Sequence, residues 1–100
     1  MKLYVDDDRE YRPTPEGWER VYNAKDAYEI LATEEVTHLS LDHDLGSPND
    51  DTGYDIMKWI EMRVEMEGFP LPDIKFHTAN PTGRINMQAT LDAILRRQRK

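Results

Sequence analysis

Short apolar runs, each breaking off into polar residues, punctuate the chain. Leu3-Tyr4-Val5 gives way to Asp6-Asp7-Asp8-Arg9, Leu39-Ser40-Leu41 to Asp42-His43-Asp44-Leu45-Gly46, and Ile74-Lys75-Phe76 to His77-Thr78-Ala79-Asn80. Runs this short and this apolar fit strands with covered faces, and each switch marks where a strand leaves its sheet and side chains become available for chemistry. The pattern predicts strands over Lys2–Val5, Val36–Leu41 and Asp73–Phe76, with a weaker one over Trp18–Tyr22.

Between the strands the apolar spacing lengthens to that of helices. Asn23 is placed to cap a helix running from Ala24 to about Glu34, with Ala27, Ile30 and Leu31 on one side. Asp51 or Thr52 caps the next, where Ile56, Ile60 and Val64 recur at four-residue intervals, and Gly68 with Pro70 ends it. Asn80-Pro81 opens a third helix with an apolar stripe of Met87, Leu91, Ile94 and Leu95. Pro13, Pro15 and Gly17 oppose a helix between the first two strands. Strand and helix alternate from residue 18 onward, which predicts an α/β fold with a mainly parallel sheet. Right-handed crossovers in such a sheet bring the polar strand exits together beyond its carboxyl edge.

Composition narrows the picture. A chain of 100 residues fits a single domain over residues 1–100, burying about two thirds of the surface it exposes when unfolded. Net charge is −7, from 20 acidic and 13 basic side chains, which argues against non-specific binding to a nucleic-acid backbone while leaving a small phosphate ligand or one RNA end. The absence of cysteine excludes disulfides and thiolate metal sites. No apolar run has the length of a signal peptide core or a membrane span, so no membrane partner is expected and cytoplasm is the expected location.

The polar exits also carry a family resemblance. An acidic pair after the first strand (Asp6, Asp7), an aspartate closing the third (Asp42) and the pair Thr78-Ala79 after the fourth resemble the response-regulator receiver superfamily. More particular motifs are Leu-Asp-His-Asp-Leu-Gly at 41–46, Thr-Gly-Tyr-Asp at 52–55 and His-x-Ala-Asn-Pro-x-Gly-Arg at 77–84. They are similar to those of the divergent cyclic-phosphate processing receiver-like domains. The resemblance implies a truncated flavodoxin-like sandwich, with a four-stranded sheet of order 2-1-3-4 flanked by about three helices. The first receiver helix and the fifth strand, which carries the receiver lysine, have no counterpart in the pattern. The activity it implies is processing of cyclic phosphates, such as a 2′,3′-cyclic phosphate at a nucleotide or RNA end, in the manner of a hydrolase of RNA repair.

Opening a cyclic phosphate requires a base for water, an acid for the departing oxygen and positive charge around phosphorus. Two imidazoles, His43 and His77, are the candidate base and acid, because imidazole exchanges protons near neutrality. Asp42 and Asp44 are the candidates to orient them. Arg84, Asn80, Thr78 and Arg9 are the candidate phosphate contacts, since an arginine grips phosphate bidentately and a helix amino end attracts anions. A second version gives Asp6, Asp7 and Asp42 the binding of Mg²⁺, whose hardness suits an all-oxygen set. The alternatives are a non-catalytic receiver-like module that binds a protein partner or is phosphorylated on Asp42, and a protein that binds a cyclic nucleotide without cleaving it. His38, ahead of its strand exit, is expected to be structural, Asp50 and Asp51 to serve as caps, Asp55 to answer the helix dipole, and Trp18, Trp59 and the methionines to be core.

Overall fold

The computed structural model describes residues 1–8, 13–45 and 51–98. Arg9, Gly46 and Asp50 lie outside the described residues. The elements run β1 (Lys2–Val5), β2 (Glu19–Val21), α1 (Ala24–Leu31), β3 (His38–Leu41), α2 (Gly53–Glu67), β4 (Asp73–Phe76) and α3 (Pro81–Gln98). The four strands form one sheet of order β2-β1-β3-β4, parallel throughout. This is the α/β architecture that the alternation of strands and helices predicts, with the strand order that the family resemblance implies.

Helix starts follow local chemistry. The Asn23 side chain accepts from the Asp26 amide at α1, and Thr52 with Asp55 forms a reciprocal capping box at α2. Gly68 closes α2 in the left-handed region, with φ of 65°, where its lack of a Cβ removes the steric penalty. At α3 the Gly83 amide donates to Asn80 Oδ1 at 2.9 Å, and Pro81 takes the first helical position. One boundary differs from the pattern: α1 stops at Leu31 rather than Glu34. There the Thr33 hydroxyl donates to the Ile30 carbonyl at 2.7 Å, tightening the last turn, and Glu34 enters the left-handed region with φ of 63°. β3 likewise starts at His38, two residues after Val36.

All three helices cover the same face of the sheet. β2 to β3 and β3 to β4 both step in one direction across it, so right-handed crossovers put their helices on one side. Packing agrees: Leu3, Val5, Leu39, Leu41 and Ile74 share one core with Ala27 and Leu31 of α1, Ile56, Met57 and Ile60 of α2, and Met87, Leu91 and Ile94 of α3. The alternate strand positions, Tyr4, Arg20, Ser40 and Lys75, stand on the other face in register with one another. No helix among the described residues lies there. Trp18 covers part of it, edge-on to both Tyr4 and His38 at 6.4 Å between ring centroids. The expectation of Trp18 as core is thus corrected to a half-buried lid over the polar face. The methionines also divide, with Met57 and Met87 buried and Met62 and Met66 exposed.

Candidate functional site

The register places three predicted residues in a single row. Leu3 to Val5 pair with Leu39 to Leu41, which pair with Ile74 to Phe76, so the next position on each strand is Asp6, Asp42 and His77. Their amides extend the ladder by one step, donating to Val21, Val5 and Leu41 carbonyls at 3.1 Å in each case. Alternation then turns the three side chains toward the helix-free face, with Tyr4, Ser40 and Lys75. One ligand atom from each of Asp6, Asp42 and His77 lies within 4.8 Å of the others. The first two are almost wholly buried, Asp6 at 0% exposure and Asp42 at 7%.

Each member of the row is held by a further group. Asp6 Oδ1 accepts the Asp8 amide at 2.7 Å and lies 3.7 Å from the Arg20 guanidinium, while Oδ2 meets His77 Nε2 at 3.0 Å. Arg20 is itself packed over the Tyr4 and Tyr22 rings and donates to the Asp8 carbonyl. His77 Nδ1 sits 2.7 Å from Ser40 Oγ, and its ring stacks on Tyr4 at 4.3 Å between centroids and 6° between planes. Asp42 Oδ1 accepts the His43 amide at 2.7 Å. Two buried carboxylates this close repel unless positive charge is shared between them; Arg20 supplies some of it, and a divalent cation would supply more. The donor set of two carboxylates and an imidazole fits such a cation. The third member of this set is His77, where Mg²⁺ coordination was expected to use Asp7; Asp7 is exposed and stands outside the group.

His43 occupies the next compartment, toward α3. Its Nδ1 lies 2.9 Å from Asp44 Oδ1 and 3.4 Å from the Asn80 amide nitrogen. The shorter contact decides the tautomer: the carboxylate accepts, so Nδ1 carries the proton and Nε2 the lone pair of the neutral ring. Two glycines make room for this loop. A Cβ on Gly83 would come within 2.4 Å of His43 Cγ, and one on Gly53 within 2.0 Å of the Asp42 carbonyl oxygen. The Gly53 amide donates to the His43 carbonyl at 2.8 Å, fastening the loop to the first turn of α2. His43 and His77 therefore sit along one edge of the sheet but in separate hydrogen-bond sets.

The expected phosphate contacts are distributed unevenly. Thr78 is buried and its Oγ1 accepts the Asn80 amide at 3.1 Å, so it shapes the turn into α3. Asn80 caps that helix and reaches His43. Arg84, exposed, donates from Nη2 to the Phe76 carbonyl at 2.8 Å. It also lines a shallow groove of about 420 Å³ with Ile85, Gln88, Ala89 and Asp92, none of which belongs to the row. His38 contacts Thr37 Oγ1 at 2.9 Å, at the far end of its strand from Asp42. Asp51 is not the cap of α2, a place that Thr52 takes; it accepts from the Tyr28 hydroxyl at 2.6 Å, and burial followed by that bond pushes the Tyr28 phenol well above its ordinary value.

Three residues of the site have no motif to announce them: Arg20, Ser40 and Tyr4. Their signal is parity. A polar or amphipathic side chain at the middle of an otherwise apolar strand points away from the core, toward whatever the strand exit builds.

A model of the family described as cyclic-phosphate processing receiver domain matches residues 1–93. Neither the curated proteins nor the solved structures gave a significant match. With the parallel sheet, the acidic strand exits and this match over nearly its whole length, the chain belongs to the cyclic-phosphate processing receiver domain family.

Proposed function

We propose that the chain is a phosphoesterase-like enzyme that opens a cyclic phosphate, such as a 2′,3′-cyclic phosphate at a nucleotide or RNA end. The observation that carries this reading is the Asp6–Asp42–His77 row at the strand ends, to which the His43 loop is joined by the His43 amide on Asp42 Oδ1, with the His43 ring hydrogen-bonded to Asp44. His43 Nε2 is the general base: it takes a proton from the water whose oxygen attacks phosphorus. The bond from phosphorus to one ring oxygen breaks, and that oxygen takes its proton from solvent at the rim. A divalent cation on the row supplies positive charge to the phosphoryl oxygens when bound. The positive end of the α3 dipole, which faces the same loop, favours the anionic substrate.

Turnover of 2′,3′-cyclic nucleotides and of RNA ending in that group, followed by phosphorus NMR with added divalent cation or with EDTA, tests the proposal. Loss of turnover in His43→Ala and in His77→Ala, and loss in EDTA, is the expected result. No turnover by the wild-type chain, or none of it lost in His43→Ala, rejects the reading. Turnover that persists in EDTA but not in His77→Ala points to the metal-free version, with His77 donating the proton to the departing oxygen. A second reading, a receiver-like module phosphorylated on Asp42, is favoured by the place of that carboxylate at the end of β3. Acetyl phosphate with Mg²⁺, followed by intact mass, separates the two: an adduct lost in Asp42→Asn supports the module.

A further inference from the structure

The row contains a nitrogen donor, and the group behind that donor is a hydroxyl. We propose that the centre selects a borderline divalent metal (Co²⁺ or Zn²⁺) over Mg²⁺, and that Ser40 is the positioning residue that makes His77 a ligand. The inference deepens the cation-dependent reading above and rests on its placing of a divalent ion at the row.

Ligand chemistry sets the preference. Mg²⁺ dehydrates reluctantly and favours oxygen, whereas an imidazole nitrogen beside two carboxylates suits the later divalent metals. A set of three carboxylates would carry a smaller bias. Replacing its third carboxylate by His77 lowers the negative charge that holds a hard cation and adds a donor that Mg²⁺ uses poorly.

Ser40 gives the imidazole its freedom to change partner. In the arrangement here, His77 Nε2 lies 3.0 Å from Asp6 Oδ2, and an ionised carboxylate can only accept, so Nε2 carries a proton. The Ser40 hydroxyl, 2.7 Å from Nδ1, then donates to the ring. Metal ligation needs the other tautomer, with the Nε2 lone pair turned to the ion and the proton on Nδ1. A serine hydroxyl donates or accepts with equal ease, so Ser40 satisfies Nδ1 in both states without moving. A carboxylate or a backbone carbonyl at that position would satisfy only the second. The stacked Tyr4 ring keeps the imidazole in plane, at 6°, so the exchange is one of protons and not of ring orientation. Such outer partners of a ligating histidine change metal affinity by about 10–100-fold when removed.

The test uses the full chain stripped with EDTA. Isothermal calorimetry gives the affinities for Mg²⁺, Mn²⁺ and Zn²⁺, and Co²⁺ is titrated while its visible spectrum is read. The expected result is binding of Zn²⁺ at least tenfold tighter than Mg²⁺, with hard Mn²⁺ between them. A Co²⁺ band is expected that changes in His77→Asp, together with a smaller preference in that all-carboxylate variant. Ser40→Ala should weaken Zn²⁺ binding by about tenfold or more, and Ser40→Thr, which keeps the hydroxyl, should restore it. Melting curves in EDTA establish that each variant is folded. Equal affinity for Mg²⁺ and Zn²⁺, or a preference unaltered in His77→Asp, overturns the metal assignment; undiminished binding by Ser40→Ala overturns the role of Ser40. These readouts need no substrate, so absence of turnover on cyclic phosphates would sink the enzymatic reading and leave them standing.

Discussion

Gly83→Ala sets two effects of known size against each other. Gly83 is inside α3, where alanine is preferred over glycine by about 1 kcal/mol, so on helix propensity alone the substitution stabilises. The new methyl group, however, would stand 2.4 Å from His43 Cγ, 2.5 Å from Cδ2 and 2.9 Å from Cβ, where ordinary contact begins near 3.4 Å. Rotating the ring relieves only the first two contacts. The third requires His43 Cβ to retreat, and its backbone is pinned on both sides, by the Gly53 amide at 2.8 Å and by Asp42 Oδ1 at 2.7 Å. Overpacking of this kind costs about 1–3 kcal/mol, and losing the exposed His43–Asp44 bond adds about 0.5 kcal/mol. The clash therefore wins, with a net destabilisation of about 1 kcal/mol and a melting temperature lower by about 4–8 °C. Urea unfolding measures the first figure and calorimetry the second. Nitrogen-15 NMR of the imidazoles should show His43 changing its tautomer balance while His77 does not. A Gly83→Ala protein as stable as wild type or more so would mean that the His43 loop yields freely, and the account of its fastening would fall.

Other expectations follow from the same contacts. Arg20→Met strips a buried counter-charge from Asp6 and should destabilise by on the order of 3 kcal/mol in urea, with much of the loss recovered when Asp6→Asn is added. Tyr28→Phe removes the bond to Asp51 and should cost about 1 kcal/mol near neutrality. Because burial, with Asp51 behind it, raises the phenol above its unfolded value, that contribution is full below about pH 10 and fades as pH climbs through the folded value, so the two melting curves should converge in alkali. Glu61 ties α2 to α3 through Arg97 at 3.0 Å and bonds Lys58 at 2.7 Å, and the Lys58 bond chiefly lowers its carboxyl below the ordinary range. Glu61→Gln should cost about 0.5–1 kcal/mol in low salt at neutral pH, with the difference disappearing as acid protonates the wild-type carboxylate through its depressed folded value and shrinking in high salt.

Most of the architecture is written in local signals. β1 and β4 begin and end where the apolar runs do, and Asn23, Thr52, Gly68 and Asn80-Pro81 mark helix ends through bonds that involve only neighbouring residues. The early stop of α1 was not legible because no glycine or proline enforces it; the Thr33 hydroxyl and the turn at Glu34 do. The candidate site was legible as a set of strand exits but not as a geometry. Asp6, Asp42 and His77 form one row because of sheet register, and register is a tertiary property. The same dependence explains why His77, and not the exposed Asp7, stands beside Asp6 and Asp42. Arg84, a candidate phosphate contact in the first turn of α3, also reaches back with Nη2 to the Phe76 carbonyl, a partner eight residues away that helix periodicity does not reveal.

The one-sided cover of the sheet divides the strands between two tasks. Leu3, Val5, Leu39, Leu41 and Ile74 are committed to cohesion, whereas Tyr4, Arg20, Ser40 and Lys75 form the wall behind the row, with no helix among the described residues over them. Positions such as Ser40 and Lys75 can thus be rewritten at less cost to the core than their neighbours Leu39 and Ile74. In a fold clad on both sides, the same edit would have to be made through a second core.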